Sequence, residues 1–206
     1  MAGFDENIVR EYFELNGFLV RQLRKYQVHS RSKRADEQLD LVVVNPAVKK
    51  NSKPKGFQLF SSDLACVHRA VVVVKGWHTS SFTPRMMQSG KSLFDFLQKD
   101  VIALIERYLG IEENETGMEE KGGQLLKLLV LPGLPVSDPH RQESIALLRE
   151  KGIDGIISFR TILESVIRQV EPNYNYHKSE FLHILRLLKI YDMIRPPQME
   201  LFQDDT

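Results

Sequence analysis

Cysteine is scarce in this sequence of 206 residues, and its scarcity excludes two kinds of stabilisation. Cys66 is the only cysteine, so the chain can neither form an intrachain disulfide nor build a zinc site from several thiolates. A reducing compartment fits this composition best, and we expect the protein in the cytoplasm.

Long apolar runs are also missing. No stretch of about 18 uninterrupted apolar residues occurs, and residues 1–7 do not place a basic segment before an apolar one. The sequence therefore predicts no secretory signal, no membrane span and no membrane partner. Its 42% hydrophobic and 27% charged residues are typical of a globular domain with a packed core. We expect one domain over residues 1–195, with its core at 4–131 and an extension at 132–195.

Basic residues are distributed unevenly along the chain. The formal net charge is +1, yet residues 17–62 contain ten Lys and Arg against three Asp and Glu. A segregated basic stretch suits a partner with a phosphate backbone. We therefore predict nucleic-acid contacts at the basic turn formed by Arg31, Lys33 and Arg34. The alternative for residues 49–55 is a solvated, lysine-rich loop.

Hydrophobic periodicity predicts an α/β protein. The predicted helices cover residues 5–16, 92–109, 138–151, 161–170 and 179–192. The predicted strands cover 18–20, 38–44, 70–75, 125–131 and 153–158. The core order is αβββαβ, which predicts a mixed sheet flanked by helices, followed by a C-terminal βα and helical extension. A short segment at 57–64 is expected to be an insertion between the second and third strands.

Two charged residues lie in or at the end of apolar strands. Asp40 shares a strand face with Val42 and Val44, where an unpaired charge is costly unless a cation or hydrogen bonds compensate it. Lys75 ends a run of four valines and shares a face with Val73. If the strands are adjacent, Asp40 would meet the ammonium group of Lys75. Taken singly, the alternatives are a turn-facing acid and an ordinary lysine at a strand end.

Glu6 is the helix carboxylate that the pattern favours as their companion. On a helical wheel it lies at the edge of the apolar face, about one turn from Val9 and near Phe13. The same wheel predicts that Glu11 and Glu14 point away from that face.

The order of elements, with Glu6, Asp40 and Lys75, resembles the restriction-endonuclease-like, or PD-(D/E)XK, superfamily over about residues 4–131. The resemblance implies carboxylates that converge on Mg²⁺, with Mn²⁺ as a substitute, to hydrolyse phosphodiester bonds. It implies Asp40 and Glu6 as metal ligands and Lys75 as the third catalytic residue, which orients water and contacts phosphate.

The sequence departs from the superfamily pattern at Val73, where an acid should stand two residues before Lys75. One interpretation is that the carboxylate has moved to Asp36, Glu37 or Asp63. The other is that the fold has kept nucleic-acid binding and lost cleavage. Restoring the acid by Val73→Glu is expected to strengthen metal binding.

Trp77 and His78 follow Lys75 directly and are predicted at the rim of the same cleft. Trp77 could stack on a base, and His78 could contact phosphate or carry a proton. The alternatives are a tryptophan that closes the core and a histidine with no role beyond the surface.

The last eleven residues, 196–206, begin with two prolines and are expected to form a flexible tail. The pentapeptide at 198–202 resembles the bacterial sliding-clamp-binding motif, in which a Gln precedes an aliphatic–Phe pair that fills a hydrophobic pocket. The resemblance implies Gln198, Leu201 and Phe202 as clamp-binding residues. Docking on the protein's own core, or chance, is the alternative.

The sequence thus favours a nucleic-acid-binding protein of the restriction-endonuclease-like fold, with DNA as the first partner to test. Such a protein would be either a metal-dependent nuclease with an impaired or rearranged site or a binder without catalysis. A noncatalytic adaptor that works through protein interaction, including the clamp-binding tail, is the competing hypothesis.

Overall fold

The computed structural model describes residues 2–22, 41–52, 54, 56–76, 78, 97 and 125–194. The helices of this part of the chain are α1 (Ala2–Leu15), α2 (Asp138–Glu150), α3 (Phe159–Gln169) and α4 (Glu180–Ile190), with a 3₁₀ helix at Ser61–Cys66. The strands are β1 (Leu19–Gln22), β2 (Leu41–Val44), β3 (Arg69–Val74), β4 (Leu126–Leu131) and β5 (Gly155–Ser158). The predicted helix at 92–109 lies outside the described residues except for Leu97.

The five strands form one mixed sheet in the order β1-β2-β3-β4-β5. β1, β2 and β3 are antiparallel neighbours, whereas β3, β4 and β5 run parallel to one another. β3 is the central strand, and its four valines at 71–74 are buried. Such β-branched side chains favour a strand that is covered on both faces. The predicted α/β class, with a mixed sheet flanked by helices, is confirmed.

Alternation along the strands divides the core into two clusters. On one face, Val72 and Val74 of β3 belong to a cluster that includes residues of α1, α3 and α4. On the other face, Val71 and Val73 belong to a cluster that includes Leu148 of α2. The two faces of the sheet are therefore packed against different helices.

Helix α1 follows from the apolar periodicity of its sequence. Val9, Tyr12 and Phe13 are fully buried. The helix ends before Gly17, whose φ of 82° is strained for residues with a side chain but accessible to glycine. The amide of Phe18 donates to the Phe13 carbonyl at 3.0 Å, and this bond turns the chain into β1.

Glu11, which the wheel predicts to point away from the apolar face of α1, is nevertheless buried. Only 6% of the surface of Glu11 is exposed. Arg10 Nη2 donates to Glu11 Oε1 at 2.9 Å, which compensates the buried charge. A helical wheel counts only the helix's own apolar positions, and it cannot show which further surfaces the rest of the chain covers.

The insertion between β2 and β3 crosses to the far edge of the sheet. Gln58 forms an isolated parallel bridge with Ile156 of β5. The Leu59 amide donates to the Ile156 carbonyl at 2.8 Å, and the Ile156 amide donates to the Phe57 carbonyl at 2.9 Å. The insertion therefore pairs with the outer side of β5.

Within the described ranges, no helix has both the length and the apolar character needed to cross a membrane.

Candidate functional site

One end of the sheet collects polar groups from several segments of the chain. β3, β4 and β5 are parallel, so their carboxyl ends lie at this end of the sheet. The end of β1 and the start of β2 lie there too, because Gln22 pairs with Leu41 and Leu41 pairs with Val72 in antiparallel register. The first turn of α1 lies at the same end, because Asp5 contacts His78. We name this end the polar edge and define it by Asp5, Glu6, Gln22, Lys75, Gly76, His78 and Ser158.

The most specific contact of the polar edge joins Asp5 to His78. The distance from His78 Nε2 to Asp5 Oδ1 is 3.2 Å, although the two residues are 73 positions apart. The imidazole also packs edge-on against Phe159, the first residue of α3, with ring centroids 4.5 Å apart and an interplanar angle of 82°. The His78 side chain remains 47% exposed. The ring is thus held from two sides while part of it stays open to ligands.

Gly76 makes the approach of Asp5 possible. A Cβ atom built on Gly76 would lie 1.6 Å from Asp5 Oδ2 and 3.2 Å from His78 Nε2. The first of these distances is far inside van der Waals contact. Any side chain at this position would displace the Asp5 carboxylate, so glycine is part of the geometry of the pair.

Glu6 lies at the polar edge but is turned toward β1. It is 8% exposed, and Gln22 Nε2 donates to its Oε2 at 3.3 Å. Sequence reasoning selected Glu6 because of its place on the helical wheel and missed Asp5. Asp5 is the acid of the first helical turn. Its role depends on the close approach of Gly76, which no local pattern in the sequence reports.

Lys75 lies directly beyond β3, and its amide donates to the Val130 carbonyl at 2.9 Å, which continues the ladder with β4. Val73 is 1% exposed and belongs to the cluster on the α2 face, together with Leu129 and Leu131. α1 packs on the opposite face, so Glu6 and Val73 approach the polar edge from different sides of the sheet.

The remaining predicted residues are placed as follows. Asp63 Oδ2 accepts a hydrogen bond from the Phe60 amide at 2.9 Å, so that carboxylate stabilises the start of the 3₁₀ helix. Ser158, a residue of the polar edge that sequence reasoning did not single out, accepts at Oγ from the Thr161 amide at 3.1 Å and caps α3. The following lie outside the described residues: Arg31, Lys33, Arg34, Asp36, Glu37, Asp40, Trp77, Gln198, Leu201 and Phe202.

The described residues do not by themselves supply a metal site. In the part of the chain that the structure describes, no group of three or more His, Cys, Asp or Glu could hold a metal ion. The Glu6 carboxylate accepts a hydrogen bond from Gln22, and the apolar side chain of Val73 has no atom that binds a metal ion. A hard cation such as Mg²⁺ needs several oxygen ligands, so binding at this edge would require ligands beyond the described residues.

Comparisons with protein-family models, with curated proteins and with solved structures found no match to the chain.

Proposed function

We propose that the chain is a nucleic-acid-binding protein with a restriction-endonuclease-like core, and that its polar edge contacts the phosphate backbone. The observation that supports this most is the position of Lys75. The antiparallel β1-β2-β3 meander, joined to parallel β4, brings this lysine to the same end of the sheet as Asp5 and His78.

The distribution of exposed bases refines the proposed contact surface. Arg21 is exposed on β1, next to the last residue of that strand at the polar edge. Lys49 and Lys50 are exposed as well. They lie at the other end of the sheet, because neighbouring Asn51 bonds to Arg69 at the start of β3. Residues 49–50 therefore fit the alternative of a solvated loop, and the phosphate contacts are expected at Arg21 and Lys75.

The described residues favour binding over metal-dependent cleavage. The superfamily resemblance implies Mg²⁺, but valine replaces one expected ligand at position 73 and Glu6 bonds to Gln22. We therefore propose binding as the main activity, with any metal-dependent hydrolysis impaired or dependent on a rearranged set of ligands that includes Asp40.

Binding is tested by the fluorescence anisotropy of a labelled short DNA duplex at several salt concentrations. We expect Lys75→Ala to weaken binding to all sequences similarly and to reduce the slope of log affinity against log salt by about one, as for loss of one phosphate contact. Lys50→Ala is the matched control and should leave the slope unchanged. Equal losses in both variants, with unchanged melting temperatures, would contradict a contact at the polar edge.

Cleavage is tested with the same duplex in Mg²⁺ or Mn²⁺. Cleavage of the duplex by the wild type, which stops when a chelator is added and is lost in Asp40→Asn, would establish a rearranged nuclease. Salt-dependent binding without product would establish a noncatalytic binder.

A second candidate function is protein interaction through the C-terminal part of the chain. Its support is the outer side of α4, where Ile184, Leu187 and Ile190 are exposed at helical spacing and Tyr191 and Met193 are exposed directly afterwards. Exposed apolar groups of this kind are typical of interaction surfaces. Deleting residues 196–206 should abolish binding to a bacterial sliding clamp, measured by surface plasmon resonance. Unchanged binding would remove the tail from this hypothesis.

A further inference from the structure

Three features together hold His78 in a defined orientation. The Asp5 carboxylate bonds to Nε2, the Phe159 ring packs against the imidazole, and the missing side chain of Gly76 leaves room for the carboxylate. The His78 amide also donates to the Gly76 carbonyl at 2.9 Å, a tight turn that sets the backbone beneath the ring. A histidine with no role beyond the surface needs none of these constraints.

The chemistry of the pair determines which imidazole nitrogen carries the proton. An ionised carboxylate can only accept hydrogen bonds, so Nε2 must be the donor to Asp5 Oδ1. In a neutral imidazole with hydrogen on Nε2, Nδ1 bears a lone pair and acts as an acceptor. Among the described residues, no hydrogen bond to His78 Nδ1 is found, and the side chain is half exposed.

We propose that Asp5 is a positioning residue that fixes His78 in the Nε2-protonated form, so that Nδ1 is the hydrogen-bond acceptor of the polar edge. The ligand of Nδ1 must donate a hydrogen, which a phosphate oxygen cannot do and a hydroxyl or a base N–H can. Because the polar edge is proposed to contact the backbone and not the bases, we assign the ligand to a hydroxyl group. The hydroxyl comes from either a ribose 2′-OH or a water held by the nucleic-acid backbone. The orientation of His78 is a property of the free protein, whereas the identity of the group that binds Nδ1 rests on the proposed function.

The orientation is tested on the full chain without nucleic acid, by the ¹⁵N chemical shifts of the histidine ring nitrogens at about pH 8, where imidazoles are ordinarily neutral. The chain has six histidines, so the His78 signals are assigned by their loss in His78→Gln. We expect hydrogen on Nε2 in the wild type. In Asp5→Ala and Gly76→Ala we expect a mixture of both forms, because each change removes the carboxylate from Nε2.

Gly133→Ala is the matched control, since a Cβ there has no heavy atom within 4 Å. It should leave the His78 signals unchanged. Hydrogen on Nδ1, or a mixture of forms in the wild type, would overturn the positioning role of Asp5 whether or not nucleic acid binds.

The ligand is tested with a single-stranded oligoribonucleotide and the deoxyribonucleotide of the same sequence. Loss of one neutral hydrogen bond corresponds to roughly a two- to tenfold loss of affinity. A loss of this size in His78→Ala and Asp5→Ala for RNA alone identifies the ribose 2′-OH, and an equal loss for both oligonucleotides identifies a bridging water. No loss with either overturns the hydroxyl contact. Failure of the wild type to bind any nucleic acid, with Nε2 still protonated, would instead overturn the proposed function and leave the role of Asp5 intact.

Discussion

The two ends of the sheet use their carboxylates differently. Where β4 and β5 begin, Asp154 Oδ2 accepts from the Lys127 amide at 2.8 Å, and the Asp154 amide donates to the Lys127 carbonyl at 2.9 Å. At the polar edge, the Asp5 carboxylate bonds to the side chain of His78 instead. A carboxylate that bonds to the backbone joins two segments of the fold. One that bonds to a half-exposed imidazole orients a side chain that a ligand can reach.

Asn51 shows the same behaviour as Asp154 at the end remote from the polar edge. Its Oδ1 accepts from the Arg69 amide at 3.0 Å, and its Nδ2 donates to the Arg69 carbonyl at 3.0 Å. These bonds tie the loop after β2 to the start of β3. A polar side chain therefore indicates a functional site only when its partner is known, and the partner is a property of the fold.

The largest expected effect comes from two variants, each of which introduces one carboxylate on the same face of β3. Val73 and Val71 are both buried in the cluster on the α2 face, and Val73 is nearer the polar edge. We expect Val73→Glu and Val71→Glu each to lower the free energy of unfolding by about 3–5 kcal/mol in a chelator, the usual cost of an uncompensated buried charge. Urea denaturation measures both values.

Added Mn²⁺ then separates the two variants. If Val73 occupies the position of a lost metal ligand, Mn²⁺ should restore part of the stability of Val73→Glu and none of that of Val71→Glu. Equal responses of the two variants to Mn²⁺ would contradict the alignment of this strand with the superfamily motif.

A smaller effect is expected at the end remote from the polar edge, where Gly155 lies against the insertion. A Cβ at Gly155 would lie 2.2 Å from Leu59 Cδ1 and 3.3 Å from the Phe57 carbonyl oxygen. Leu59 is fully buried, so we expect Gly155→Ala to cost about 1–3 kcal/mol through overpacking. Thermal denaturation measures the loss. Gly133→Ala, which meets no atom, should be nearly neutral, and an equal loss there would argue against this packing explanation.

The smallest expected effect concerns the charge on Asp154. Burial raises the pKa of this carboxyl, and the hydrogen bond and the charge of Lys127 oppose the rise. A folded-state pKa above the unfolded value means that this group's contribution to stability is full at low pH and is lost as pH rises through the folded pKa. Asp154→Asn can keep the bond to the Lys127 amide without the charge.

We therefore expect Asp154→Asn to be more stable than the wild type at neutral pH, by less than about 1 kcal/mol. The difference should shrink toward about pH 4, near the ordinary range of aspartic acid. Urea denaturation at both pH values tests this. Glu150→Gln, which removes an exposed acid at the end of α2, is the control and should show no such trend.

Much of the fold was predictable because local patterns report it. The four valines at 71–74 predicted the central strand, and the apolar spacing of α1 predicted a helix that ends before Gly17. The site was predicted less well. The wheel placed Glu11 away from the apolar face of α1, but it could not show that other parts of the chain bury this residue beside Arg10. Asp5 was missed because its partner lies 73 residues away in the chain.

Within the described residues, the sequence by itself determined the types of the helices and strands, the αβββ order of the first four of them and the burial of the valine strand, because periodicity and side-chain branching act over a few residues. Tertiary structure alone decided which acid meets His78. That choice depends on strand direction, which brings the end of β3 to the first turn of α1, and on Gly76, which leaves room for the Asp5 carboxylate. Contacts between distant segments depend on the packing of the whole sheet, which no local window of residues contains.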